Sequence, residues 1–418
     1  MQRDIGCNVV DHLVSRRNFM AGTAGALGFS SLTAPTVAKE LEKKQRRVLQ
    51  IFLQGGVSQF ESWDPKPNTK YGGPTRKIST SVPGMHIAEL LPHTAQRMHH
   101  LSIVRSINTK VNSHATSRQI METGRRVGEF PFIGAVASKY LTPENAPLPG
   151  YIHISTRGLS KQSSAFLGAK HNELRLEGVK PPTNIDRPKG LTEENAKRRD
   201  ALRVSLNSRF ATRGQQALTE AYNSSYEQAE KLMARKTLFE GNMSDKDLER
   251  YGKHHFGRNC IFARDLLENG ATCVKVTHHG YDTHAENFNF HLEQLEEFDH
   301  TFCMLLDDLY ERGMLENTLV MVMSEFGRTP KINVRYGRDH WGSSFALAIG
   351  GCGIQPGAVI GATNKLGTEV SDREVDGGHL FHTYFHALGL DSTQDHDIDG
   401  RTIPIGDPAM APIKELLA

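Results

Sequence analysis

The sequence predicts an α/β fold, a doubly wound, mostly parallel sheet with helices on both faces. Two observations point there. Short, continuous apolar runs recur along the chain with helix-patterned stretches between them, and such runs suit strands covered on both faces. Polar clusters follow several of these runs directly, as expected where loops beyond the carboxyl ends of parallel strands gather at one crevice.

In chain order, the strands are expected at RVLQIFL (47–53), LSIV (101–104), YIHIS (151–155), ATCVKVT (271–277), TLVMVM (318–323) and FALAIG (345–350). Residues 191–268 are rich in Ala, Glu, Lys, Arg and Leu and read as a helical insertion of two or three helices. Residues 288–313 place Phe288, Leu292, Leu295, Phe298, Phe302, Leu305 and Leu309 at helical spacing, with Gly313 as the stop. The stretch 156–190 lacks regular apolar patterning and reads as a long surface excursion.

At 418 residues and 38% apolar, the chain can bury the core of one large domain or two smaller ones. Fifty Lys and Arg against 47 Asp and Glu leave a formal charge of +3. That argues against nucleic acid as a partner, because phosphate binding needs a concentrated basic face.

The N-terminal stretch SRRNFMAGTAGALGFSSLTAPTVA sets Arg16 and Arg17 before Phe19, then a weakly apolar Gly/Ala-rich run, then Thr36-Val37-Ala38 as a cleavage site. Residues 1–38 therefore read as a twin-arginine signal peptide. It implies the twin-arginine translocase as a partner and a periplasmic or secreted location. The apolar run is short for a stable membrane span, and residues 39–418 are left as the folded domain. Cys7 falls inside the signal; Cys260, Cys273, Cys303 and Cys352 show no CxxC pairing and read as buried thiols.

Chemistry concentrates in four polar clusters: QGGVSQFESWDPKP (54–67), HHGYDTHAENF (278–288), SEFGRTP (324–330) and GRDHW around Asp339 and His340. Asp282, His284, Glu325, Asp339 and His340 are side chains of the kinds that bind zinc, manganese or iron, with no thiolate among them. Structural roles compete with that chemistry. His278 and His279 can bond backbone, Asp282-Thr283-His284 can cap the following helix, Glu325 and Arg328 can form an ion pair, and Asp339-His340-Trp341 can anchor a loop. The QGG glycines can make a tight turn or an anion cradle. His379, His382 and His386 share one face of a helix whose other positions are apolar, and read as structural.

The order IFLQGGVSQFESWDPKP, YGKHHFGRNCIFARDLLENGATCVKV, GYDTH, NTLVMVMSEFGRTP and GRDHW resembles the DUF1501 family of exported bacterial proteins across nearly all of the mature chain. The resemblance implies the alkaline phosphatase and sulfatase superfamily, with a bimetal or calcium site at the carboxyl edge of a mixed α/β sheet. It implies Asp282, His284 and His340 as ligands of a divalent ion such as zinc, manganese or calcium, with Asp339 beside them. The second metal position would hold Gln54, Glu325 and Phe326 where the superfamily carries strong ligands. The helix start NSHATSRQIMETGR (112–125) is similar to the superfamily's nucleophile region and puts His114 at the nucleophile position.

The activity this implies is hydrolysis of a phosphate or sulfate ester, or a related anionic substrate, by metal-activated water. His114 or Glu325 would be the general base. Arg118 and Arg328 would hold the anion, with Ser58 as a further substrate contact. Gln54, Phe326 and His114 equally support an alternative, a non-catalytic binding or assembly protein that keeps the fold but has lost the second metal and the nucleophile.

Overall fold

Each apolar run becomes a strand of one eight-stranded sheet in the computed structural model, which describes residues 45–156, 164–398 and 400–418. The signal-peptide reading of residues 1–38, Arg16 and Arg17 included, lies outside the described residues. The strands used below are β1 (Arg47–Gln54), β2 (Leu101–Ile107), β3 (Tyr151–Ser155), β4 (Leu174–Glu177), β5 (Cys273–His279), β6 (Thr318–Met323), β7 (Gly327–Ile332), β8 (Arg338–Trp341), β9 (Phe345–Gly351) and β10 (Val359–Ile360). The sheet order is β10-β2-β9-β6-β1-β5-β3-β4, while β7 and β8 form a separate two-stranded hairpin.

Alternate residues of each central strand enter opposite cores, as the two-residue strand period requires. Leu49, Ile51 and Leu53 of β1 join Val274, Val276, Val320 and Val322 in one core. Val48 and Phe52 join Cys273, Leu319, Met321 and Met323 in the other. The first core is covered by α5 (His255–Glu268) and α6 (Asn287–Glu311), through Phe256, Leu267, Leu295, Phe298 and Phe302. The second is covered by α1 (His114–Thr123), α2 (Ile133–Leu141) and α7 (Gly377–Ala387), through Met121, Val136, Phe381 and Tyr384. Each such fully buried Val, Leu, Ile or Phe contributes about 1.5–3 kcal/mol, so covering both faces explains why the runs are apolar throughout.

The sheet is mostly parallel, as expected: β9 alone runs against its neighbours, β2 and β6. A parallel return from β6 would need a crossover, usually a helix. The intervening chain instead forms the β7–β8 hairpin, and β9 comes back antiparallel. The excursion expected over 156–190 contains the short edge strand β4, paired to β3. Within 191–268 stand α3 (Glu193–Ala211), α4 (Gln216–Ala234), a short helix Asp245–Tyr251, and α5. Thr192 caps α3 by accepting a hydrogen bond from the Asn195 amide. Helix α6 ends just before Gly313, whose φ of +65° suits a helix stop.

Cys260, Cys273, Cys303 and Cys352 are free and buried. No helix among the described residues is long and apolar enough to cross a membrane.

Candidate metal centre

Register brings the site's segments together. Gln54 of β1 lies opposite His279 of β5, and Phe52 opposite Met323 of β6. The loops leaving these three strands, 55–58, 280–286 and 324–326, therefore emerge side by side at the carboxyl edge. Gly55 and Gly56 have φ of +117° and +95°. A Cβ on Gly55 would lie 2.3 Å from the Asp282 amide nitrogen, and one on Gly56 would meet the Phe326 ring. The QGG turn is thus a close-approach turn; its Gly55 amide donates to Glu325 Oε1 and is not presented to an anion.

Helix α1 delivers His114 as its first residue, after the N-cap Ser113. The β7–β8 hairpin delivers His340, paired in register with Arg328. Gly337 lets the hairpin press against the 282–285 loop, since a Cβ there would lie 2.1 Å from the His284 carbonyl. Glu286, at φ +49°, turns that loop into α6.

Three imidazoles meet the Asp282 carboxylate. His114 Nε2 lies 3.3 Å from Oδ2, while His340 Nε2 and His284 Nε2 lie 3.1 Å and 3.2 Å from Oδ1. Behind each ring stands an acceptor for Nδ1: Glu325 Oε1 at 2.7 Å from His114, Asp339 Oδ1 at 2.7 Å from His284, and the Asn112 carbonyl at 2.8 Å from His340. Carboxylates and carbonyls only accept, so each neutral ring must carry its proton on Nδ1. The Nε2 atoms are then lone pairs, and those of His284 and His340 face each other at 2.9 Å. Lone pairs converging on a carboxylate repel unless a cation lies between them. An acceptor behind each ring is also how metal-binding histidines are held. One ligand atom from each of His114, Asp282 and His340 lies within 4.8 Å of the others, so this trio can hold a metal ion.

Burial pushes the Asp282 carboxyl up, but the Arg328 guanidinium and the facing His340 and His114 rings outweigh it and hold it at about 2. The hydrogen bond to Glu325 raises the His114 ring above its ordinary value despite its partial burial. Burial lowers the His340 ring.

The structure changes several roles expected from sequence. Arg328 is fully buried and spends its guanidinium on the Gly55, Gly56 and Arg338 carbonyls and on Asp282 Oδ1. It orients the carboxylate, and four of its five N–H groups are engaged within the chain. Glu325 is buried, with Oε1 accepting from Gly55 and His114 and Oε2 from Ser324. It therefore holds His114 in place of acting as a base. Asp339 stands behind His284, outside the converging donors. His114, expected as a base, turns its Nε2 to Asp282 as a further donor. Ser58 is sealed in: its amide donates to His291, its hydroxyl is buried, and it does not line the site cavity.

Phe326, expected to stand in place of a ligand at the second metal position, is a packing wall, its ring 4.8 Å from that of His114 and 4.5 Å from that of His340. Asn112 was overlooked in the sequence although it lies within the NSHATSR stretch. It contributes a main-chain carbonyl, and its side chain accepts from the Gly342 amide.

The centre opens onto a cavity of about 700 Å³ lined by residues including Phe52, Gln54, Arg118, His279 and Phe290. Arg118 lines this space. The other histidines are used elsewhere. His278 is buried against Phe256 and bonds Tyr281. His379 accepts from the Asp376 amide in a capping box, and His382 bonds Ser392 and the Asp407 carbonyl.

Among solved structures, the chain is similar to a sulfatase from Pseudoalteromonas sp., at 12% identity and a TM-score of 0.38 over 85% of this chain and 70% of that one. It is similar to a protein in the alkaline phosphatase superfamily from Vibrio parahaemolyticus, at 10% identity and a TM-score of 0.38 over 84% and 68%. The alkaline phosphatase of the Antarctic bacterium TAB5 is matched at 12% identity and a TM-score of 0.36 over 83% and 99%. No curated protein sequence matches the chain. The family model described as "Protein of unknown function (DUF1501)" matches residues 45–417, from the start of the sheet through every residue of the candidate metal centre, and the chain belongs to that family.

Proposed function

We propose that the protein is an exported, metal-dependent hydrolase of a phosphate or sulfate ester, or a related anionic substrate, working at the His114, Asp282 and His340 centre. The observation that supports this is the convergence of Nδ1-anchored imidazoles, His284 among them, on the Asp282 carboxylate. A donor set this rich in imidazole nitrogen suits zinc, manganese or iron, whereas calcium takes oxygen ligands.

A divalent ion at this centre supplies Lewis-acid polarisation and makes water a stronger acid. The chain's own side chains do the remaining work. Glu325, Asp339 and the Asn112 carbonyl fix the ring orientations, Arg328 fixes Asp282, and Arg118 offers a guanidinium to a substrate anion. Phe52 and Phe290 give the cavity apolar walls.

The test is elemental analysis of the purified chain, followed by a panel of phosphate and sulfate esters with and without chelator. The expected result is one divalent metal per chain and turnover lost on chelation and regained on metal return. A chain without bound metal overturns the proposal. Metal without turnover of any ester identifies the second reading, a binding protein, which is supported by Phe326 filling the space beside His114 and His340.

Export is the remaining part of the proposal and rests on the sequence of residues 1–38. Replacing Arg16 and Arg17 with Lys is expected to retain the protein in the cytoplasm, as followed by cell fractionation; unchanged export would remove the twin-arginine translocase as a partner.

A further inference from the structure

The hairpin of α3 and α4 takes no part in the metal centre. Helix α3 runs 19 residues without one buried side chain. Its contact with α4 is polar: the Arg203 guanidinium donates to Asn223 and lies over the Tyr226 ring, and Asn207 also donates to Asn223. Helices in proteins owe most of their stability to an apolar face packed against something.

Here such a face exists and stands uncovered. Leu202, Leu206 and Phe210 recur at four-residue spacing on α3 and are 60%, 54% and 45% exposed. Leu218, Tyr222 and Tyr226 do the same on α4, at 59%, 50% and 42%. Four of these, Leu202, Leu206, Tyr222 and Tyr226, line one open groove of about 740 Å³ between the helices.

We propose that this face is a homodimer interface, in which the hairpins of two copies pack face to face as a four-helix bundle. Charge identifies the occupant as a second copy. Helix α3 carries five Lys and Arg against three Asp and Glu, whereas α4 carries three Glu against one Lys. At the groove, Arg199 stands on α3 and Glu230 on α4. Each lies in the half of its helix away from the connecting turn, and neither has an ion-pair partner among the described residues. A two-fold axis running along the hairpin lays α3 of one copy on α4 of the other. Basic helix then meets acidic helix, and Arg199 meets Glu230 of the second copy. The other two-fold arrangement lays α3 on α3 and opposes like charges, which disfavours it.

Sedimentation velocity on the full chain tests this. The expected species is a dimer, and Leu206→Glu with Tyr222→Glu should make it monomeric without moving the thermal unfolding of the α/β body, since neither side chain is buried. Arg199→Glu and Glu230→Arg, in separate chains, should each weaken self-association by about tenfold. Mixing the two variant chains should restore it, because every facing pair is again of opposite sign. A monomer at every concentration, a dimer unaffected by Leu206→Glu with Tyr222→Glu, or no restoration on mixing overturns the proposal. None of these outcomes depends on the metal centre.

Discussion

Asp282→Ala is expected to leave the purified chain without metal and without metal-dependent ester hydrolysis, while it still folds. Asp282 is where the donors meet: His114 approaches one carboxylate oxygen, and His284 and His340 the other. Removing an acceptor behind a metal-binding ring typically costs roughly 10–100-fold in affinity, and removing the carboxylate itself should cost more. Folding should survive because Arg328 keeps three main-chain carbonyl partners, those of Gly55, Gly56 and Arg338. Asp339→Ala provides the graded control. It frees the back of His284, a ring beside the His114, Asp282 and His340 trio, and releases an Asn333 contact, so affinity should fall by no more than roughly 10–100-fold and excess metal should rescue the chain. Elemental analysis and metal titration read both variants, with thermal unfolding as the check on fold. If Asp282→Ala retains its metal, the ion is bound elsewhere and the proposed centre is wrong.

How far the sequence anticipated this site depended on what kind of information each residue carried. The central strands were legible because burial on both faces forces continuous apolar runs, as in TLVMVM. Strand β4 was not, since its four residues at the sheet edge, two of them charged, carry too weak a pattern. The antiparallel course of β9 depends on how the β7–β8 hairpin uses the chain before it, which apolar patterning does not encode. In the site, Asp282, His284 and His340 could be named as candidate ligands by side-chain type, and it was the resemblance to the DUF1501 family that selected them as a set. The roles of Glu325, Asp339 and Arg328 were not legible, because a carboxylate that faces an ion and one that stands behind an imidazole are the same residue in sequence. Only position separates them. Asn112 acts through its main-chain carbonyl, which no side-chain identity announces.

The second large effect is expected beneath the site, at Glu122 and Lys275. Helix α1 has His114 at its start and Glu122 near its end. Glu122 accepts a hydrogen bond from the Lys275 ammonium of β5, and both side chains are essentially inaccessible to solvent. Burial lowers the Lys275 ammonium below its ordinary value, and Glu122 is the first group opposing that fall. The ammonium also lies over the Phe52 ring, 4.4 Å from its centre. Breaking such a pair on one side leaves an uncompensated charge in the core, at a cost of about 3–5 kcal/mol. Glu122→Gln and Lys275→Met are each expected to destabilise the chain by that amount. Replacing both with apolar residues of similar size, Glu122→Leu with Lys275→Met, should recover most of the loss, since a buried pair contributes little net stability over a well-packed apolar one. Denaturant unfolding of Glu122→Leu, Lys275→Met and their combination provides the cycle, and losses that simply add would show that the residues act independently. The pair also ties the helix bearing His114 to the strand that leads into the Asp282 loop. The single variants should therefore bind metal more weakly even where they remain folded, and the double variant should regain metal affinity together with stability.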